Sequence, residues 1–279
     1  MTNKVIEKPK DRSFLRMSLG KAYFRARRNL RWIFGNDILA EIRNDRNDRN
    51  SIEATELYFA HKTPLLRRLK DVDMVLQHNK VINLRIAAKQ LNDVVLHPGE
   101  VFSYWHLIGK PTRRKGYVKG MVLDKGKVTT GIGGGLCQLS NLTYWMTIHT
   151  PLTVVERHRH SFDVFPDVNR TQPFASGATC FYNYIDLVIK NDTDSIYRLK
   201  IELCNEYLHG AWLTDAQPQF RYEVYEKEHA IQSQFWGGYT RHNTIYRKIF
   251  NIDGEQIADE FVAENNAIMM YNPLISQSD

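Results

Sequence analysis

The segment 131–140 carries the residues best suited to chemistry, a cluster of glycines that leads directly into Cys137. An apolar, helix-like run follows, so the sequence places Cys137 at or near the start of a helix. At a helix start, unpaired backbone N–H groups and the positive end of the helix dipole favour a thiolate over a thiol. Gly133, Gly134 and Gly135 have no Cβ and would let another backbone segment or a substrate approach closely. The pattern predicts a nucleophilic cysteine, and a small apolar residue in a buried helix is the structural alternative.

Two histidines lie in the β-prone segment 153–160, which reads Thr-Val-Val-Glu-Arg-His-Arg-His. In a strand alternate side chains share a face, so Glu156, His158 and His160 are expected on one side. The histidines could supply a general base for the cysteine, bind a metal with it, or lie as polar residues at a sheet edge. Asp186 could orient an imidazole, as the third group does in Cys/His hydrolases, and a loop or edge carboxylate is the alternative.

A basic interval immediately precedes the glycine cluster. Between Lys110 and Lys127 the only acidic residue is Asp124. The basic residues of this interval are Arg113, Arg114, Lys115, Lys119 and Lys125. Such a loop could hold an anionic group such as a carboxylate or pyrophosphate, or it could be a soluble surface loop.

The composition is that of an ordinary globular protein, with 279 residues, 43% hydrophobic and 25% charged. This length can bury one large core, or a main domain with a smaller appendage. No apolar run approaches the roughly 20 residues that span a bilayer. Because no signal-peptide core follows Met1 either, we expect a cytoplasmic location. The three cysteines fit neither a disulfide framework nor a CxxC zinc pattern, so a reduced compartment and no metal or cofactor are expected.

The net charge of +7 is concentrated near the N-terminus. Aromatic and aliphatic residues alternate there with a basic cluster that comprises Lys8, Lys10, Arg12, Arg16, Lys21, Arg25, Arg27, Arg28 and Arg31. This pattern could form a basic amphipathic helix on an anionic membrane surface. A solvated arm, or a helix that docks its aromatic face on the main domain, is the alternative. Nucleic acid is not expected as a partner, because no recognised binding motif accompanies the charge.

The order of the elements predicts an α+β fold, with a helical N-terminal half whose Cys-bearing helix packs against a mainly antiparallel sheet. A polar stretch at 43–50 reads as a linker. Helices are expected over 12–43, 63–77 and 79–91. Strands are expected over 101–105, 153–160, 182–190, 197–204 and 220–225. Hairpin turns are expected at Gly237-Gly238 and Asp253-Gly254.

Four sequence blocks together resemble one known family, the proteins that contain a VanW domain. The resemblance covers roughly residues 55–275, and the blocks stand in the family's order: Pro98–Ser103, Gly131–Gln138, Glu156–Ser161 and Ala178–Leu187. On the basis of this resemblance, three parts of the chain are expected: a basic, partly helical arm and linker over 1–50, a VanW-like core domain over 51–217 and a strand-rich C-terminal extension over 218–279.

The resemblance implies a role in peptidoglycan metabolism and glycopeptide resistance. Some secreted members are regarded as L,D-transpeptidases that cross-link peptidoglycan stems through the cysteine of their GGGxCQ motif. Cys137 would then attack an amide of a donor stem to form a thioester, which an acceptor amine resolves. His160 matches the family's Arg-x-x-His-Ser element and would be the base, while Gln138 would help bind the developing oxyanion. The expected substrate-binding residues are Gly133, Gly134, Gly135, Arg157, His158, Arg114 and Lys115.

A non-enzymatic accessory protein is the second hypothesis. It would bind cell-wall precursors, the membrane surface or a resistance enzyme, and it rests on the basic arm and on the C-terminal aromatics Trp212, Trp236 and Tyr239. The partner expected first is a peptidoglycan stem peptide or precursor, and the basic arm could add peripheral membrane contact.

Overall fold

The structure, a computed structural model, describes residues 6–7, 12–41, 54–67, 73–166 and 172–274. Within these ranges the chain forms an α+β fold, as predicted, and its α-helices all lie before residue 148. The helices are α1 (Phe14–Phe34), α2 (Met74–Leu91), α3 (Tyr104–Ile108) and α4 (Cys137–Thr147).

The strands form several mostly antiparallel sheets. Before α4 they are β1 (Ile38–Leu39), β2 (Glu56–Pro64), β3 (Val94–Leu96), β4 (Glu100–Ser103), β5 (Lys119–Asp124) and β6 (Lys127–Ile132). After α4 they are β7 (Thr153–Glu156), β8 (Phe162–Asp163), β9 (Val188–Lys190), β10 (Tyr197–Cys204), β11 (Tyr207–Thr214), β12 (Arg221–Ser233), β13 (Tyr239–Phe250) and β14 (Gln256–Met269). The sheets have the orders β1-β4-β9-β7, β2-β11-β10-β3 and β12-β13-β14-β8, beside the β5-β6 hairpin. Only the β1–β4 and β8–β14 pairs among these described strands are parallel.

The main core lies between α4 and the sheet that contains β2 and β11. Leu139, Leu142 and Met146 of α4 are buried there, and each such side chain contributes roughly 1.5–3 kcal/mol through the area removed from water. Gly210 of β11 makes room for the helix, since a Cβ at this position would lie 2.7 Å from the Cε of Met146. Trp212 adds a directional contact by donating its indole N–H to Thr147 Oγ1 at 3.1 Å. The Cys-bearing helix is therefore firmly seated on a mainly antiparallel sheet.

The C-terminal sheet is built from two long hairpins. Both predicted turns are present, because Gly237-Gly238 connects β12 to β13 and Asp253-Gly254 connects β13 to β14. The fourth strand, β8, comes from the segment assigned by sequence to the core domain and pairs with the end of β14.

Several predicted element bounds are wrong for local reasons. The first helix ends at Phe34, well before residue 43, and a short strand follows it. Residues 63 and 64 belong to β2, because this strand pairs along the whole of β11, and α2 begins only after its N-cap Asp73. The strand expected over 101–105 stops at Ser103, whose Oγ caps α3. The linker at 43–50, as well as Lys8 and Lys10, lies outside the described residues.

Two strands predicted around the candidate site are also shorter than expected. β7 ends at Glu156, so residues 157–160 have no regular secondary structure. Only 188–190 of the segment 182–190 is a strand, because Phe181 and Ile185 pair with each other and close a tight turn. By contrast, the predictions for 79–91 and 197–204 are confirmed by α2 and β10.

Candidate functional site

Cys137 is the first residue of α4, as the sequence predicts, and a tight glycine turn precedes it. Gly133 and Gly135 have φ values of +75° and +91°, a region that side chains with a Cβ rarely adopt. A Cβ on Gly134 would lie 2.2 Å from the carbonyl carbon and oxygen of Gly120. The close approach that glycine permits here is therefore made by the chain's own backbone. A role of these three glycines in substrate binding remains a prediction.

Two buried polar residues of α2 hold this turn from below, and sequence reasoning missed both. Asn83 donates from Nδ2 to the carbonyls of Val118 (3.1 Å) and Gly134 (2.9 Å), and its Oδ1 accepts from Val118 N–H (2.9 Å). The stem of Lys80 packs against Gly135, where a Cβ would lie 2.3 Å from Lys80 Cγ. The available signal was that both polar residues share the buried face of α2 with Leu84 and Ala87, at helical spacing.

The thiol of Cys137 is protonated in this arrangement. Its Sγ donates to the backbone carbonyl of Cys180 at 3.7 Å, and the residue is half-buried. Burial raises the pKa of the Cys137 thiol above its ordinary value, although backbone hydrogen bonds to the sulfur from Cys180 and from Cys137 itself act in the opposite direction. The expectation that the helix start lowers this pKa is therefore wrong, because desolvation outweighs the helix-end N–H groups.

A short backbone segment, 178–180, separates the cysteine from the histidines. On the α4 edge, the carbonyls of Ala178 and Cys180 accept from Ser140 Oγ (2.7 Å) and from Cys137 Sγ. On the opposite edge, the N–H of Thr179 donates to the carbonyl of His158 at 2.8 Å. Alternate backbone groups of an extended segment point to opposite edges, which explains this division. Cys137 and the 157–160 segment therefore lie on opposite sides of it.

His160 makes no hydrogen bond to Cys137 among the described side chains. Its ring is half-buried and meets Phe181 edge to face, with ring centroids 6.4 Å apart. Burial, with a smaller effect of the Arg159 charge, lowers the pKa of His160 to about 4. The imidazole is thus neutral near pH 7 and chemically able to accept a proton, but the predicted Cys–His hydrogen bond is not formed in this structure.

His158 and Glu156 form the imidazole–carboxylate pair of this region. The two share a side as predicted, and His158 Nε2 lies 3.1 Å from Glu156 Oε1, although the strand has already ended. Arg28 of α1 reaches the same oxygen at 2.5 Å. Burial acts to raise the pKa of Glu156, but hydrogen bonds from His158 and Arg28 lower it to about 2. A half-buried, ionised carboxylate therefore links α1 to the histidine segment.

Asp186 supports the backbone and does not orient a histidine in this structure. One carboxylate oxygen accepts from Ser103 Oγ at 2.6 Å, and the other accepts from the N–H groups of Trp105 (3.0 Å) and Leu187 (2.9 Å). Burial raises the pKa of Asp186 to about 6, although the bond from Ser103 opposes this. The side chain holds the start of α3 against the strand β9, and the triad geometry proposed from the sequence is absent here because these donors already occupy both oxygens.

Gln138 likewise makes internal contacts. Its Nε2 donates to Thr63 Oγ1 and to the carbonyl of Pro64, each at 2.9 Å. Both amide hydrogens are thus directed at the end of β2. In this arrangement Gln138 anchors the start of α4 to the main sheet, and its contribution to an oxyanion site remains a prediction.

The basic residues proposed for substrate binding divide into two groups. Arg157 is a structural link, because it donates to the carbonyls of Gly177 (2.9 Å) and Ala175 and to Asn265 Oδ1 (2.8 Å) of the C-terminal sheet. Arg114 and Lys115 lie exposed in a 3-10 turn before the β5-β6 hairpin. This second pair is accessible to a ligand, although Lys115 Nζ also donates to the carbonyl of Ile108 at 3.4 Å. Over the described ranges, no group of three His, Cys, Asp or Glu side chains could hold a metal ion.

Comparison with known proteins gives a consistent picture. Residues 79–213 match the family model described as VanW like protein. The chain is 41% identical over 152 residues to the "Vancomycin B-type resistance protein VanW" of Enterococcus faecalis (strain ATCC 700802 / V583), covering 54% of this chain and 55% of that protein. It is 34% identical over 82 residues to the "Uncharacterized protein YoaR" of Bacillus subtilis (strain 168), covering 29% of this chain and 27% of that protein. The chain thus spans about half the length of the first relative, and no solved structure matches it.

Proposed function

The chain belongs to the VanW family through residues 79–213, and on that premise we propose that it acts in peptidoglycan metabolism linked to vancomycin-type resistance. The proposed reaction is cysteine-dependent acyl transfer on peptidoglycan stem peptides or their precursors, in the manner of an L,D-transpeptidase. The observation that carries the proposal is the position of Cys137. It is the first residue of a rigidly seated helix, directly after a glycine turn and inside the matched region.

The proposed reaction proceeds in two balanced steps. In the first, the Cys137 sulfur, after losing its proton, bonds to the carbonyl carbon of a stem-peptide amide. The C–N bond then breaks, the amine leaves with a proton, and a thioester remains. In the second, an acceptor amine bonds to the same carbon, the C–S bond breaks and the sulfur recovers a proton. The chain's own residues must therefore move one proton from the thiol and return one.

Deprotonation requires a change from the resting arrangement. The thiol donates to the Cys180 carbonyl, and burial holds its pKa above the ordinary value. His160, with a pKa of about 4, is neutral near pH 7 and available as an acceptor. A substrate that displaces the segment 178–180 would break the Cys137–Cys180 bond and open a path between sulfur and imidazole. We propose substrate-dependent activation of this kind.

A non-catalytic binding function is the second candidate. It is favoured by the protonated thiol and by the internal hydrogen bonds of Gln138 and Asp186, which give both residues a structural role. Under this alternative the site would bind a cell-wall precursor or a resistance enzyme without forming a covalent bond.

The test compares Cys137→Ala and Cys137→Ser with Cys204→Ala, a matched change at a half-exposed cysteine in β10. Purified protein is incubated with a stem-peptide donor, and a thioester adduct is sought at Cys137 by peptide mass spectrometry. Muropeptide and precursor profiles are compared in cells that depend on the protein. If the protein catalyses acyl transfer, the wild type should form the thioester adduct at Cys137. Both Cys137 variants should lose the adduct and the activity, and the Cys204 variant should keep them. Normal profiles in the Cys137→Ala strain, together with retained precursor binding, would instead establish the binding function.

A further inference from the structure

The helix α1 is amphipathic, but its polar side packs on the protein and its apolar side faces solvent, the reverse of an ordinary surface helix. None of its 21 residues is buried. The residues that contact the body are Arg25, Arg28, Asn29 and Trp32, which recur at helical spacing on one face. The docking prediction made from the sequence, in which aromatic residues face the main domain, holds only for Trp32, whose ring meets His106 at 5.3 Å.

The docked face is held by directional polar contacts. Arg28 and Glu156 form an ion pair at 2.5 Å, with side chains only 9% and 18% exposed. Arg25 Nε donates to the carbonyl of Tyr182 at 3.1 Å. Asn29 Oδ1 accepts from Asn183 Nδ2 at 2.6 Å. These bonds fix which side of α1 is directed away from the protein.

The outward side carries a continuous apolar stripe. Its members are between 54% and 76% exposed and follow one another at spacings of four, four, seven, three and one residues, which keeps them on one side of the helix: Leu15, Leu19, Tyr23, Leu30, Ile33 and Phe34. At about 100° per residue, the centre of this stripe lies roughly 135° around the helix from the centre of the docked face. Leaving six large apolar side chains on one line in water is unfavourable, and such patches mark interaction surfaces.

The charge around the stripe identifies the occupant. From Arg12 to Phe34 the chain has seven basic residues and no acidic residue. Arg16 and Arg27 border the stripe, and in the part of the chain that the structure describes their side chains make no ion pair or hydrogen bond. No described helix is long and apolar enough to cross a bilayer. An apolar stripe with cationic borders on a helix that does not span is the pattern that lies in the interface of an anionic bilayer.

We propose that α1 binds the surface of an anionic phospholipid bilayer, with its apolar stripe in the headgroup region and its polar face still attached to the protein. The same helix contacts Tyr182 and Asn183, two and three residues after Cys180. Membrane binding would therefore hold the segment around the candidate site next to the lipid surface. This inference is independent of whether Cys137 forms a covalent bond.

The test is flotation of the full-length protein with vesicles of phosphatidylcholine alone or with added phosphatidylglycerol. We expect the protein to float only with the anionic vesicles, and less as salt is raised. The stripe variant Leu19→Glu/Leu30→Glu should lose flotation. The matched control Val75→Glu, at a similarly exposed apolar position on α2, should float like the wild type. Arg16→Gln/Arg27→Gln should weaken partitioning by roughly 30-fold.

Three results would overturn the proposal. One is wild-type protein that stays out of the anionic vesicle fraction. Another is a stripe variant that floats normally. The third is a concentration-dependent dimer in light scattering that the stripe variant abolishes while vesicle binding is absent, which would make a second copy of the chain the occupant. Circular dichroism of each variant verifies that the fold is retained.

Discussion

Replacing Lys80 with Met should stabilise the protein at neutral pH and destabilise it near pH 10.5. Lys80 is 6% exposed and donates only to the neutral amide oxygen of Gln77, at 2.8 Å, among the described residues. Burial, with a smaller effect of the Arg67 charge, lowers the pKa of Lys80 from 10.5 to about 8. The ammonium form is therefore disfavoured in the folded state, and below pH 8 folding must keep it charged in a poorly solvating environment.

The magnitude follows from linkage. The difference between 10.5 and about 8 corresponds to about 3 kcal/mol, at 1.36 kcal/mol for each tenfold change in the ionisation constant. Between these two pH values the unfolded chain holds more protons at this site than the folded chain, so wild-type stability rises with pH across the window. Methionine has a similar length and no charge, so it removes the free-energy cost of burying the ammonium group. It also leaves the buried Gln77 oxygen without its donor, which costs about 1–3 kcal/mol.

The two terms predict a change of sign. At pH 7 Lys80→Met should gain about 1 kcal/mol, and near pH 10.5 it should lose about 2 kcal/mol relative to wild type. Urea unfolding at both pH values measures this difference. Lys89→Met, at an exposed lysine of the same helix, serves as the control. A stability difference for Lys80→Met that is the same at both pH values would refute the claim that this lysine is buried at a cost.

Three further predictions concern the site. Gly134→Ala should lower the free energy of unfolding in urea by about 3 kcal/mol or more, because its Cβ would lie 2.2 Å from the backbone of Gly120. The control Gly237→Ala, with φ +77° and open space around it, should lower it by about 1 kcal/mol, and equal losses would contradict the steric argument. The rate of Cys137 alkylation in the substrate-free protein should be low at pH 7 and should increase only in the alkaline range, because its pKa is raised. Cys204 serves as the internal reference. An alkylation rate of Cys137 that is already high and constant at pH 7 would contradict the raised pKa. The stability of Asp186→Asn relative to wild type should be higher at pH 7 than at pH 4. Because the pKa of Asp186 is raised in the folded state, the stability that its protonated carboxyl contributes is complete below pH 3.8 and is lost as the pH rises through about 6. A stability difference that does not change with pH would contradict the raised pKa of Asp186.

The sequence predicted the elements that depend on local chemistry. The helix start at Cys137 and the turns at Gly237 and Gly254 follow from glycine placement and apolar patterning, and all three are present. The hydrogen-bond partners of the site residues could not be predicted from local sequence patterns. Gln138 and Asp186 bind groups about 75 and 83 positions away along the chain, and such contacts exist only after the sheets assemble.

The pKa of Cys137 shows the same limit in energetic form. A helix start offers a stabilisation of a thiolate that can be read from local sequence. Desolvation depends on what covers the sulfur, and here that cover is the segment 178–180, more than forty residues later in the chain. The sign of the net shift is therefore set by tertiary packing. Lys80 and Asn83 are a related case, because their spacing places them on the apolar face of α2 but does not identify the distant turn at Gly134 that Asn83 supports.

The segment 178–186 connects three features that are remote from one another in sequence. Its first residues hold the Cys137 thiol on one edge and the His158 backbone on the other. Its middle residues bind the polar face of α1. Its last residue, Asp186, caps the start of α3 and donates its N–H to Glu156 at 3.3 Å. A displacement of this segment that frees the thiol must therefore also disturb the contacts of α1, so binding at the cysteine and attachment of α1 should be thermodynamically coupled.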